Sequence, residues 1–354
     1  MAALLGALAA LIAVVKYGVG TFPSWVYLYD IGRNWSDPSQ APLMTPPVDY
    51  LQSNFLLAWL AGALGFLSAA TFFAFHLLFA LVAIMVAFWM PVVRRQDSTT
   101  RLIFIAVVGG PIAALMVMWA NGYDALTVIG LVIGSLSRRP WGAFAGWFLA
   151  VLNHPIVGLL GLAAWAVVVI LQPSAVARWW RLGVSAFAAG LGWFVNEAIM
   201  RSWGGYTTRA EWRELTGVGD FWDLLWPSMP SVVFGAVGVA WLFFLHPMAV
   251  RQWWIRLVIV ELVVGSILLS GVSLDATRIA ALVLLAPVLT AVVHLAQVLG
   301  AEKTSDMWTW WAVAGVIVPI PLVFTGEVLY AGWGSFGTLD SALLPPDGYD
   351  LIGQ

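Results

Sequence analysis

The sequence predicts an all-α polytopic integral membrane protein, and three observations carry that reading. Hydrophobic residues make up 62% of the chain and charged residues only 10%, against roughly 25% charged in ordinary soluble domains. Mean hydropathy is +0.91. Apolar runs of about 18 residues recur along the whole length, each long enough as a helix to cross about 30 Å of hydrocarbon. Nothing is left over for a soluble domain, so residues 1–354 read as a single transmembrane domain. The net charge of −2 and the dispersed Lys and Arg residues give no basic field, which excludes nucleic acid as a partner. With no cysteine, disulfides, thiolate metal sites and cysteine nucleophiles are excluded as well.

The first apolar segment, residues 2–20, has the core of a signal sequence without a basic leader or a clear cleavage site, and reads as a retained helix. Further crossings are expected at 102–120, 122–137, 141–153, 156–172, 181–200, 230–246, 256–272, 277–299 and 307–325. The run 51–92 is too long for one crossing and barely long enough for a tight hairpin. Charge decides between them. Arg94, Arg95, Arg101, Arg138, Arg139, Arg178, Arg181, Arg251, Arg256 and Lys303 share one side if this run makes one net crossing, with its first part lying along the surface or re-entering. The sum is about eleven transmembrane helices, within about two, with the basic side cytoplasmic. The long connections then face outward: the first loop at 16–50, a second at 201–230 and the tail at 326–354. The expected location is the inner (plasma) membrane, with any chemistry facing the periplasm or exterior. Tryptophans at Trp179-Trp180, Trp253-Trp254 and Trp308 to Trp311 read as interfacial anchors.

The first loop concentrates Asp30, Arg33, Asp37 and Asp49 beside a rigid Pro46-Pro47 pair. Polar backbone in a bilayer persists only at an interface or along a cavity, so this loop is either a functional element or a solvated connector. Within it Tyr29-Asp30-Ile31-Gly32 leads to Thr45-Pro46-Pro47. Further on, Asn121-Gly122-Tyr123-Asp124 heads an apolar crossing, Ser137-Arg138-Arg139-Pro140 makes a basic turn, and a small-residue helix closes on Asn153-His154-Pro155. This pattern, over roughly residues 16–172, resembles the GT-C superfamily of membrane glycosyltransferases, closest to its bacterial polyprenol-phosphate-sugar-dependent mannosyltransferase-like branch. That branch often ends the small-residue helix in Lys-Pro, and here His154 stands in the place of the lysine. The resemblance implies a GT-C-like helical fold with juxtamembrane elements in the first loop. It also implies a polyprenyl-phosphate sugar donor, a glycan or glycolipid acceptor, and a catalytic carboxylate soon after the first crossing.

Such a transfer needs a base for the acceptor hydroxyl, positive charge or donors for the departing phosphate, and a cavity. Asp30 is the candidate base, set against a reading as a loop-capping acid. Asp49 is a weaker acidic candidate for the substrate site, and Asp37-Pro38 reads as a turn. Arg278, at the outer start of a crossing, is a candidate phosphate ligand; the alternative is a helix-capping Asp275 paired with Arg278 across one turn. Arg201 and His154 also reach the outer ends of their crossings, and Asn121, Asp124 and Glu197 place polar groups at a similar depth. Asn196 reads as either a cavity group or an interhelical hydrogen-bonding one. Glu261, near the other end, reads as structural. No metal or other cofactor is expected. Two other functions are open. An O-antigen-type polysaccharide polymerase would use Arg209 and Arg213 of the second loop. A lipid or glycolipid transporter or flippase would need broken helices near mid-membrane, and the sequence offers only Pro111, Pro155 and Pro319 to Pro321.

Overall fold

A computed structural model describes residues 2–21, 25–43, 53–92, 98–172, 178–204, 225–271, 273, 275–299, 305–324 and 327–331. In chain order the helices are α1 (Ala2–Tyr17), α2 (Trp25–Arg33), α3 (Leu56–Ala63), α4 (Ala69–Val92), α5 (Ser98–Val108), α6 (Pro111–Met118), α7 (Asp124–Leu136), α8 (Pro140–Asn153), α9 (Pro155–Leu171) and α10 (Arg178–Ser202). They continue as α11 (Met229–Val237), α12 (Trp241–Phe244), α13 (Pro247–Val250), α14 (Trp253–Ser270), α15 (Ala276–Leu299) and α16 (Ser305–Ile317). A hairpin of β1 (Ile320–Phe324) and β2 (Glu327–Ala331) follows, paired antiparallel with Leu322 opposite Leu329. Five segments, 69–92, 179–202, 226–244, 253–270 and 276–295, are long and apolar enough to cross a bilayer.

The run 51–92 holds one helix of crossing length. Short α3 ends in a turn at Gly65, whose φ is +86°, and α4 then runs unbroken for 24 residues. Helices α1, α6, α8 and α10 end where α4, α7, α9 and α15 begin. The Gly20 amide donates to the Val117 carbonyl at 3.0 Å, and Asn196 Nδ2 donates to the Leu152 carbonyl at 2.8 Å. We call this the first-loop end. Helices α7 and α8 are antiparallel and meet on glycines: a Cβ on Gly146 would lie 2.2 Å from the Gly134 amide nitrogen, so only small residues permit this spacing. At the opposite end the Arg181 guanidinium donates to the Ser135 carbonyl at 2.8 Å, in the last turn of α7 where the helix dipole favours a cation.

Three expected crossings are not continuous helices. The 102–120 crossing breaks at Gly109 and Gly110 between α5 and α6, because Pro111 lacks the N–H that the Val107 carbonyl would accept. The 230–246 crossing breaks at Gly238, whose φ of 63° and ψ of −144° lie outside the reach of other residues. The expected 307–325 crossing is helix as far as Ile317 and strand from Ile320 to Phe324. Pro319 and Pro321 end α16 and admit only an extended continuation, so the fold departs from a purely α-helical one. Non-helical backbone at membrane depth must be enclosed by protein. Here the breaks enclose one another, with the Val239 amide donating to the Gly109 carbonyl at 3.0 Å and the Val323 amide donating to Thr277 Oγ1 at 2.9 Å.

Candidate functional site

At the first-loop end two polar clusters form from different elements. The first is built on α2, which follows α1 closely and buries Trp25, Val26, Leu28, Tyr29 and Ile31 while leaving Arg33 exposed. Gly32 lets α2 press against its neighbours: a Cβ there would lie 2.8 Å from the Phe72 ring and 3.0 Å from the Ala58 carbonyl. Tyr29 Oη donates to the Leu67 carbonyl at 2.7 Å, and the Tyr29 ring stands edge-on to Phe72. Asp30 is thereby carried into a buried position beside aromatic surface. Its Oδ2 accepts the Leu43 amide at 2.8 Å and its Oδ1 accepts Asn34 Nδ2 at 3.2 Å. Burial raises its carboxyl above the ordinary aspartate range, and the Leu43 hydrogen bond and the Arg33 charge offset that rise only in part.

The second cluster joins α6, α7, α8 and α15. Arg278 Nε and Nη2 grip Asp124 at 2.5 and 2.9 Å, and Nη1 donates to Asp275 at 2.7 Å. All three residues are buried. The Tyr123 and Trp119 rings flank the guanidinium, with centroids 4.7 and 5.9 Å from its central carbon. His154 lies edge-on to Tyr123 at 5.3 Å, and Asn121 is buried in the same turn. Asn153 Nδ2 donates to the Tyr123 carbonyl at 2.6 Å and to Thr127 Oγ1 at 2.9 Å. The cluster thus ties four segments by a bidentate ion pair, an i,i+3 pair and a shared aromatic ring.

Helix α3 bridges from the first cluster toward the end of α10. A Cβ on Gly62 would collide with the Gly32 carbonyl, at 1.9 Å. At its other side Phe55 stands edge-on to Trp203 at 4.9 Å, and Asn196 Nδ2 donates to the Ser53 carbonyl at 2.9 Å. Beyond this contact Arg201, its side chain 77% exposed, pairs with Glu197 at 3.1 Å.

Four of the sequence-derived candidates, Asn121, Asp124, His154 and Arg278, come together in the second cluster. Asp30 forms the first, and Glu197 with Arg201 makes a surface pair at the same end. Asp49, the Thr45-Pro46-Pro47 element, most of the second loop and the tail lie outside the described residues. The Asp275 pairing weighed as the alternative for Arg278 is present, and Asp124 completes it. The geometry therefore gives Arg278 a bracing role rather than an open anion site. Asp37 precedes a single 3-10 turn, Pro38–Gln40, and its carboxylate accepts the Ser39 hydroxyl at 2.5 Å, in keeping with the turn that the Asp-Pro pair suggests. Asn34 carries no mark in the sequence, and Tyr123 and Asn153 appear there only as members of longer motifs. Asn153 had a legible signal, an amide at a helix C-terminus two residues before proline. Trp254 is not an interfacial anchor: it is buried against His294 and donates to Gln252 Oε1 at 2.8 Å.

No family model, curated protein or solved structure matches this chain. Among the described residues no group of three or more His, Cys, Asp and Glu could hold a metal ion. An apolar groove of about 640 Å³ lies beside α11, lined by Trp226, Met229, Pro230, Val233, Phe234 and Trp241 among others.

Proposed function

We propose that the protein is a membrane glycosyltransferase that moves a sugar from a polyprenyl-phosphate donor to a glycan or glycolipid acceptor at the outer face, with Asp30 as general base. The observation that carries the reading is the Asp30 site: a buried carboxylate on a short helix beside the first crossing, held by uncharged donors and raised in proton affinity. A base with a raised pKa removes a hydroxyl proton more effectively than an ordinary exposed aspartate. The acceptor oxygen attacks the anomeric carbon, its proton passes to Asp30, and the bond from anomeric carbon to phosphate oxygen breaks with its electron pair leaving on the lipid phosphate. Arg201, exposed beyond α3 at the same end, supports the phosphate role better than Arg278, whose nitrogens hold Asp124 and Asp275. The apolar groove beside α11 gives a lipid chain a place against the protein.

The test is transfer of labelled sugar from polyprenyl-phosphate sugar in proteoliposomes. Asp30→Asn is expected to abolish product while leaving yield and thermal unfolding unchanged; full activity in that variant sinks the assignment. A second reading, a lipid or glycolipid transporter, draws support from the breaks at Gly109, Gly110 and Gly238, because interrupted crossings are a transporter feature. It predicts movement of labelled substrate across the bilayer with no new glycosidic bond, whatever residue stands at 30.

A further inference from the structure

The breaks in three crossings meet at one level, and a buried cation sits among them. Lys16, in the last turn of α1, is fully buried and donates from Nζ to the Gly315 carbonyl at 2.9 Å. Its only other close polar neighbour among the described residues is the Tyr17 ring face, 4.5 Å away, and no ion pair there includes it. An ammonium without a carboxylate in an apolar interior is costly unless something else supplies negative potential.

Two helix ends supply it. Helices α5 and α16 run parallel and their C-terminal ends touch: a Cβ on Gly109 would lie 2.8 Å from Gly315 Cα, and one on Gly315 would lie 3.5 Å from the Ile105 carbonyl oxygen. Each helix C-terminus carries the equivalent of about half a negative charge. The carbonyls at both ends are also denied their usual donors. In a continuing helix Gly315 would be served by residue 319 and Val107 by residue 111, and both are prolines. Tyr17 Oη takes the Val108 carbonyl at 2.8 Å and the Val239 amide takes that of Gly109, while Lys16 takes Gly315.

We infer that the converging C-termini of α5 and α16 form a binding site for one small monovalent cation, of which the Lys16 ammonium is the built-in occupant. The site is independent of the glycosyltransferase reading. It bears on the transporter reading, because broken-helix carbonyls are where a cation-coupled carrier holds its ion. Here that position is filled by the chain itself, so the intact protein has no specific need for sodium or potassium at this depth.

The experiment follows thermal unfolding of purified full-length protein by tryptophan fluorescence in ammonium, potassium, sodium or choline chloride at equal ionic strength. The wild type is expected to melt within about 1 °C in all four salts, whereas Lys16→Ala melts about 5 °C or more lower in choline. Ammonium or potassium should recover at least half of that loss, entering the space the side chain leaves. Equal melting of variant and wild type in choline overturns the proposal; a loss that no cation recovers reduces Lys16 to a structural donor and overturns it too. Lys16→Met provides a second arm should the alanine variant not fold. Its stem fills the space without charge, so it should melt below wild type in every salt with no cation preference, and melting at the wild-type temperature contradicts the account.

Discussion

The two polar clusters at the first-loop end contain the same chemical group in opposite circumstances. Asp124 and Asp275 are buried carboxylates clamped by a bidentate and a monodentate arginine contact. Asp30 is a buried carboxylate held by a backbone amide and a side-chain amide, with its proton affinity raised. The partners differ: a guanidinium for Asp124 and Asp275, uncharged amides for Asp30, whose carboxyl burial raises above the ordinary aspartate range. Burial alone therefore does not distinguish the two clusters; the partner does. The same contrast separates the two arginines weighed as phosphate ligands: Arg278 is spent inside the protein and Arg201 stands at its surface.

Breaking the clamp should have the largest effect. Arg278→Ala leaves two buried carboxylates without their cation and is expected to cost about 3–5 kcal/mol of stability, read as lost yield and a lower melting temperature before any change in donor affinity. A fall in donor affinity with unchanged melting would instead restore Arg278 as a ligand. Next comes the brace beneath it. Asn153→Ala removes the donor to Tyr123 and Thr127 and should cost about 1–3 kcal/mol, with the loss visible in the same melt.

Smaller effects probe the Asp30 cluster. Asn34→Ala removes one donor to the ionised carboxylate, so the Asp30 pKa should rise further. Activity that needs the ionised base would then fail at a higher pH on the acid side, measured as an upward shift of the acid limb of kcat/KM; an unmoved limb separates Asn34 from the base. The sign for stability runs the other way. A carboxyl whose folded pKa is raised favours folding while protonated, and that contribution is lost as pH rises through the folded pKa. A neutral side chain at position 30 is therefore not expected to unfold the protein at neutral pH. Smallest of all is the surface pair, where Glu197→Ala should change stability by less than about 1 kcal/mol.

Much of the fold was legible because hydrophobic length and charge asymmetry are properties of the chain itself. The run 51–92 holds one helix of crossing length, and the aromatic surroundings expected for Asp30 are present in the Tyr29 and Phe72 rings. The breaks were partly written in Pro111, Pro319 and Pro321. Gly238 carried no such mark, since a glycine in an apolar run reads the same whether it packs closely or turns the backbone. The pairing of Asp124 with Arg278 spans 154 positions, and no local pattern announces a contact made by folding. Lys16 was read only as the boundary of the first loop, because a lysine at the end of an apolar segment ordinarily reaches for the membrane surface. Its turn inward depends on two helix ends that come from residues near 108 and 315.

The central claim is that Asp30 is the proton acceptor of a sugar transfer, and the most direct measurement is product formation by Asp30→Asn beside its melting temperature in the same proteoliposome preparation. The account predicts a fall in transfer of at least about 10²-fold with melting unchanged. Transfer at the wild-type rate, or a loss matched by unfolding, contradicts it.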